Sequence, residues 1–171
     1  MNRNVWFCLI ILLIVPLSLS GQSTRNKSIS TNATISYNYL EDIKVHFLFS
    51  YTFKRHEPFV GLEFPVSSNH ISNFGFNAGY RFFPNKNRQN FDLFFIYLIQ
   101  GGSRKMYSNS TVNGFSLQNL IGYGFNIYFN NNIYLTHHIA AGVENAWLGE
   151  YGKFTDFSLM INLGIGLKII I

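Results

Sequence analysis

The sequence predicts an all-β fold: an eight-stranded antiparallel up-and-down transmembrane β-barrel that follows a cleaved signal peptide. Apolar and polar residues alternate with a period of two along most of the chain, as in strands with one apolar face. Only 12% of the 171 residues are charged, against about 25% in a typical soluble domain. A secreted carrier barrel would need a charged exterior, whereas the polar face here is mostly Gly, Ser, Asn and Thr. We therefore expect the apolar face to point outward into lipid.

The start of the sequence has the pattern of a secretory signal peptide. Val5 to Val15 is an unbroken apolar run, and Ser18 and Ser20 occupy the small-residue positions before a cleavage site. We expect cleavage after Ser20. The predicted domains are therefore a signal peptide at residues 1–20 and an outer-membrane β-barrel domain at residues 21–171.

Cysteine and charge exclude several classes of site and partner. The only cysteine, Cys8, lies in the signal peptide, so the mature chain would hold no disulfide, thiolate metal site or cysteine nucleophile. The formal net charge is +5. The basic residues occur in scattered pairs, such as Lys54-Arg55 and Arg104-Lys105, and not in one patch. We therefore expect no nucleic-acid partner.

The first four strands are predicted at residues 30–39, 43–54, 58–66 and 71–83. Hairpin parity predicts their register, because paired residues on antiparallel neighbours point to the same face. The first hairpin pairs Tyr39 with Ile43 around a three-residue loop. The second sets Lys54 opposite Glu57. Pro65 interrupts the third strand near its end.

The last four strands are predicted at residues 90–101, 115–129, 133–144 and 157–170. The hairpin of strands four and five places Arg81 opposite Asp92 on the inner face, so that opposite charges meet. The hairpin of strands six and seven pairs Phe129 with Ile133 around three asparagines, which tolerate the left-handed conformation of such loops. Strand five places three apolar residues on its inner face, namely Phe94, Ile96 and Leu98.

Three short segments carry a family resemblance. They are Gly79-Tyr80-Arg81-Phe82-Phe83, Gly122-Tyr123-Gly124-Phe125 and Gly164-Ile165-Gly166-Leu167-Lys168. With the signal peptide and the strand pattern, residues 30–171 resemble the small eight-stranded outer-membrane barrels of Gram-negative bacteria. The resemblance implies an outer-membrane location, contact with outer-membrane lipid and insertion by the barrel assembly machinery. Members commonly end their last strand with an aromatic residue, whereas this chain ends in three isoleucines.

The even strand count places both chain ends in the periplasm. Periplasmic turns are then expected at residues 55–56, 84–89 and 130–132, and extracellular loops at 40–42, 67–70, 102–114 and 145–156. Eight strands enclose an interior just wide enough for side chains, so an open channel is not expected. The polar residues predicted inside are Arg81, Asp92, Glu63, His138 and Glu144, together with Lys44, His46 and Lys168. Two roles use such residues: a polar core that locks the barrel, and a path for protons or ions.

Exposed aromatic and basic side chains in the two long loops are the candidates for binding, because such residues dominate binding hot spots. They are Arg104, Lys105, Tyr107, Trp147, Tyr151 and Phe154. The expected function is therefore a non-enzymatic structural or interaction role, with an extracellular or envelope protein as partner. The alternative for these loops is that the aromatics pack against each other or lie at the lipid interface.

The alternative function is a lipid-modifying outer-membrane hydrolase or acyltransferase on the same barrel. Such enzymes place a histidine and a serine two residues apart on one face of a strand, whereas Ile139 and Ala140 stand two residues after His137 and His138. The two histidines also face opposite sides of a strand and cannot share one metal ion. We therefore expect no catalytic residue, no metal and no cofactor.

Overall fold

The computed structural model describes residues 27–38, 43–66, 72–84, 90–107, 111–149 and 152–171. Eight antiparallel strands close into one barrel in sequence order, which confirms the predicted fold class. The strands are β1 (Ser28–Asn38), β2 (Ile43–Thr52), β3 (His56–Pro65), β4 (Ser72–Phe82), β5 (Phe91–Tyr107), β6 (Thr111–Tyr128), β7 (Ile133–Trp147) and β8 (Lys153–Ile170). The predicted signal peptide lies outside the described residues. Within them, no helix is both long and apolar enough to cross a membrane.

The two faces of the barrel wall differ sharply in exposure. On β1, Ile35 and Tyr37 are 57% and 56% exposed, whereas Ser36 between them is 2% exposed. The same alternation of exposed apolar and buried polar residues continues on β2. An exterior of this kind avoids the cost of exposing apolar surface to water only when lipid covers it.

An apolar layer crosses the barrel interior. Phe94, Ile96 and Leu98 of β5 point inward and are at most 4% exposed, as their parity predicts. They pack with inward residues of other strands, including Phe59 and Leu120. The interior is therefore filled by side chains at this level.

Strands β5–β8 extend beyond the last pair of the β1–β8 ladder at the end opposite the chain termini, and β4 follows β5 as far as the pair Ser72–Arg104. The β1–β8 ladder ends at the pair Asn38–Met160, but β7 and β8 remain paired up to Trp147–Lys153. Likewise β5 and β6 pair up to Tyr107. The predicted loops at 102–114 and 145–156 are therefore wrong in extent, because most of their residues continue the strand ladders. We call this part of β5–β8, residues 102–107, 111–116, 144–149 and 152–158, the extension.

The first hairpin registers differ from those predicted. Ile43 pairs with Tyr37 and not with Tyr39. A bridge between Phe53 and His56 leaves Lys54 and Arg55 as a two-residue turn, so Lys54 does not lie opposite Glu57 and the predicted 55–56 turn is shifted. Lys54 has a φ of 54°, the left-handed conformation that two-residue hairpin turns require.

The β4–β5 register is shifted by four residues from the prediction. Phe82 pairs with Phe95, so Arg81 lies opposite Ile96 and not opposite Asp92. The shift is even, and the assignment of inner and outer faces is therefore unaffected. The last pair of the ladder is Phe82–Phe95, so more residues lie between the paired parts of β4 and β5 than the prediction allowed.

The β6–β7 hairpin has the predicted register. Phe129 N donates to Ile133 O at 3.0 Å. Asn130 Oδ1 accepts hydrogen bonds from the backbone N of Asn132 and of Ile133, both at 2.8 Å. The asparagine-rich turn is confirmed, with its first side chain bonded to the backbone of the loop.

Cross-strand disulfides test barrel closure. Ile35 and Leu163 face each other across the β1–β8 seam, and the mature chain contains no native cysteine if the signal peptide is removed. The Ile35→Cys/Leu163→Cys variant should form an intramolecular disulfide on mild oxidation, detected as a mobility shift that reductant reverses. Ile35→Cys/Leu159→Cys, four residues out of register, should not. An open sheet would give the shift in neither variant.

Candidate functional site

A buried ion pair lies at the end of the interior that carries the chain termini. Arg81 is completely buried, and its Nη1 donates to Glu57 Oε1 at 2.7 Å. Thr52 Oγ1 donates to the other carboxylate oxygen at 2.7 Å. The guanidinium carbon also lies 4.9 Å and 5.1 Å from the ring centroids of Phe59 and Phe94. Arg81 is thus held by an ion pair and by two cation–π contacts.

The predicted partner of Arg81 was wrong. Asp92 is buried inside the barrel, but it lies opposite Asn126 of β6. Glu57 pairs directly with Arg81 across the β3–β4 ladder. The signal that could have identified Glu57 is an inward acid and an inward base at the same end of two adjacent strands.

A second network occupies the part of the interior closer to the extension. Lys44 Nζ donates to Glu63 Oε1 at 2.9 Å, and the Oε2 atom of this carboxylate lies 3.7 Å from His46 Nδ1. His46 Nε2 is 2.5 Å from Ser36 Oγ, and Asn77 Nδ2 is 2.8 Å from His46 Nδ1. The five side chains are all at most 5% exposed.

Ser36, His46 and Glu63 follow the order of a serine hydrolase triad. However, the Asn77 amide lies 2.8 Å from His46 Nδ1, whereas the Glu63 carboxylate is 3.7 Å from the same atom, beyond hydrogen-bond distance. Glu63 therefore does not orient the imidazole by a hydrogen bond as the acid of a triad does, and its Oε1 is bound by Lys44 instead. Sequence reasoning missed this cluster because its residues come from three strands and not from one.

Near the extension, four side chains form a hydrogen-bonded chain that joins β8, β1, β6 and β7 across the interior. Asn38 Nδ2 donates to Gln118 Oε1 at 3.2 Å and to Ser158 Oγ at 2.9 Å. Gln118 Nε2 donates in turn to Glu144 Oε2 at 3.2 Å. The predicted inward residue Glu144 therefore belongs to a hydrogen-bonded layer that fills the barrel mouth.

His138 lies deeper, between the Arg81–Glu57 ion pair and the network around His46. It is 2% exposed, and its ring meets Phe94 edge to face with a centroid distance of 6.3 Å. Gly124 lies opposite it on β6 and leaves room for the two rings. Within the described ranges, no three His, Cys, Asp or Glu side chains come together as a metal site would require. The last predicted inward residue, Lys168, is half-buried with Nζ 5.2 Å from the ring centroid of Tyr128.

The extension carries part of the predicted binding set. Trp147 ends β7, is 41% exposed and stacks on Phe115 with a centroid distance of 6.2 Å. Lys153 Nζ lies 5.5 Å from the Trp147 ring. Phe154 is 49% exposed on β8. At this end the aromatic side chains therefore pack against each other and also leave apolar surface accessible.

The other predicted binding residues belong to the same region of the chain. Arg104, Lys105 and Tyr107 lie on the extended part of β5 and not in a loop. Tyr151 lies outside the described residues. The candidates on β5 and on β7–β8 are thus on the two hairpins that build the extension.

Comparison with known proteins supports the fold. No family model and no curated protein matches the sequence. The N-terminal β-barrel domain of Pseudomonas aeruginosa OprF is similar in structure, with a TM-score of 0.63 and 14% identity over 88% of this chain and 100% of that domain. Neisserial surface protein A matches with a TM-score of 0.48 and 8% identity over 89% of this chain and 100% of that chain. Ail of Yersinia pestis matches with a TM-score of 0.42 and 14% identity over 88% and 100%. The OprF similarity confirms the fold of a small eight-stranded outer-membrane barrel.

The buried ion pair gives a stability prediction. Arg81→Met should lower the free energy of unfolding by about 3 to 5 kcal/mol, because it leaves the Glu57 carboxylate buried without its partner. Glu57→Gln/Arg81→Met should recover much of the loss, and Lys153→Met at the exposed end should change little. Urea unfolding in detergent micelles measures all three. An Arg81→Met barrel as stable as the parent protein would contradict the assignment.

Proposed function

We propose that this chain is an outer-membrane protein with a non-enzymatic structural or interaction role. Its barrel acts as a rigid scaffold, and the extension presents the surface that meets a partner. The apolar outer wall supports the location, because only lipid can cover so many exposed Phe, Leu and Ile side chains without a large hydration cost. Outer-membrane lipid surrounds the wall, and the barrel assembly machinery inserts the chain.

The asymmetry of the strand ladders carries this proposal. Strands β5–β8 continue beyond the level at which β1 stops pairing, so half of the wall projects from the barrel. The projecting part includes Trp147 and Phe154, whose side chains are 41% and 49% exposed. Exposed aromatics beside Lys153 suit contact with an extracellular or envelope protein.

A lipid-modifying hydrolase or acyltransferase is the second candidate function, and the Ser36–His46–Glu63 order is the observation that favours it. Three features weigh against it. The triad faces the barrel interior and not the lipid, its residues are about 2% exposed, and Glu63 is 3.7 Å from His46 Nδ1, too far to orient the ring by a hydrogen bond. A lipid ester would have to enter a filled interior to react.

An assay for acyl-chain hydrolysis or transfer distinguishes the two functions. Full-length protein purified in detergent should neither trim nor transfer acyl chains when incubated with acyl-labelled outer-membrane lipid, as read by thin-layer chromatography. Ser36→Ala is the matched control, because it removes only one hydroxyl. Product formed by the parent protein and absent with Ser36→Ala would assign the activity to the buried serine and overturn the proposal.

Shortening the extension tests the interaction role. Residues 103–115 and 145–155 would each be replaced by a short Gly-Asn turn, joining positions that are paired in the ladders. The barrel should still fold, as shown by its shifted mobility on an unboiled gel, but a strain complemented with this variant should show the phenotype of the deletion strain. Ile161→Leu on the lipid-facing wall should complement fully. Full complementation by the shortened variant would contradict the proposal.

A further inference from the structure

Basic residues lie at the end of the barrel that carries the chain termini; Lys27 and Lys54 are exposed and Arg55 is partly exposed. Lys54 and Arg55 form the β2–β3 turn, and Lys27 immediately precedes β1, whose first residue lies opposite the end of β2. The two acidic side chains of the described residues at this end, Glu57 and Asp92, are inside the barrel and 3% and 4% exposed. Glu57 is also engaged with Arg81. The outer surface of this end therefore presents basic side chains without exposed acidic side chains beside them.

The wall above the same strands contains an apolar groove of about 700 Å³. Its floor is formed by Thr31 and Ala33 of β1, which are small. Ala33 pairs with Phe47 on one side and Ile165 on the other. Thr31 pairs in the same way with Phe49 and Leu167. Two small residues between larger ones on β2 and β8 make a depression in the outer wall, and Ile29 lies between this depression and Lys27 on the same face of β1.

The distance between the groove and the basic turn matches the distance between the acyl chain of a lipid and its headgroup. Thr31 lies four residues from Lys27, which is about 13 Å along a strand and less in depth, because barrel strands are tilted. The headgroup layer on each side of a bilayer is roughly 5 to 8 Å thick. Tyr51 and Phe53 stack with a centroid distance of 5.9 Å between the groove and the turn, where interfacial aromatics are expected.

We propose that the wall of β8, β1 and β2 binds one anionic phospholipid of the periplasmic leaflet. An acyl chain occupies the groove, and the phosphate lies against Lys54 and Arg55. The site rests on the membrane location proposed above. It differs from the general lipid contact of a barrel wall in requiring both a groove of defined shape and a negative headgroup.

Native mass spectrometry of the full mature chain tests the headgroup. The protein would be presented with phosphatidylglycerol and phosphatidylethanolamine that carry identical acyl chains. One lipid should remain bound, with phosphatidylglycerol preferred. Lys54→Asn/Arg55→Gln should lower this preference about fivefold for each base removed, and asparagine tolerates the positive φ at residue 54. Lys153→Gln, at the opposite end, should leave the preference unchanged.

A second pair of variants tests the groove. Ala33→Leu fills the floor and should reduce retention of both lipids, whereas Ala141→Leu, on the outer face of β7, should not. Equal preference for the two lipids, or a preference that survives Lys54→Asn/Arg55→Gln, would overturn the headgroup assignment. Unchanged retention in Ala33→Leu, or complete displacement by soluble glycerophosphoglycerol, would overturn the groove. A variant that keeps its shifted mobility on an unboiled gel but no longer retains lipid is still a folded barrel. Such a result concerns this site alone and leaves the proposed membrane location unaffected.

Discussion

The structure depends on the absence of water in the hydrocarbon of a bilayer. Each unpaired peptide group there would cost several kcal/mol, so a membrane-spanning sheet must have no free edge within the lipid. The β1–β8 ladder removes that edge by pairing β1 along its whole length, from Ser28–Ile170 to Asn38–Met160. Once the sheet is closed, every second residue of each strand must point into a narrow interior. The composition of the inner face follows from this requirement.

The interior meets the requirement by pairing its charges and by matching large side chains with small ones. Arg81 is paired with Glu57, and Lys44 with Glu63, so neither base is buried without its counterion. Gly75 lies opposite Glu63, and a Cβ at this glycine would lie 2.7 Å from Glu63 Cγ, closer than a real side chain allows. The Ser36–His46 hydrogen bond and the Lys44–Glu63 pair therefore have a structural explanation: they satisfy buried polar atoms.

Faces were more predictable from the sequence than registers. The alternation of Ile35, Ser36 and Tyr37 predicts inside and outside correctly, because side-chain direction depends only on parity. The Asn130 turn was also predictable, since asparagine bonds locally to the backbone. The Arg81–Glu57 pair was missed: parity places both side chains inside at one end, but the register that joins them depends on turn geometry that is not evident in the sequence. The extension was missed because its Ser, Asn, Thr and Gly residues are typical both of loops and of a narrow barrel interior. For the candidate site, the buried position of Glu144 followed from parity, but the cluster around His46 required knowledge of three strands at once.

The central claim is that the apolar face of the strands meets lipid while the polar face fills the interior. Methyl-labelled protein in micelles containing a doxyl-labelled fatty acid tests it most directly, without any substitution. The methyl signals of Ile161, Leu163 and Ile165 should broaden strongly, because these side chains are 43%, 53% and 56% exposed on the outer wall. Those of Leu98, Leu120 and Met160, each at most 3% exposed, should keep their intensity. Equal broadening of both sets, or broadening of the inner set alone, would contradict the account.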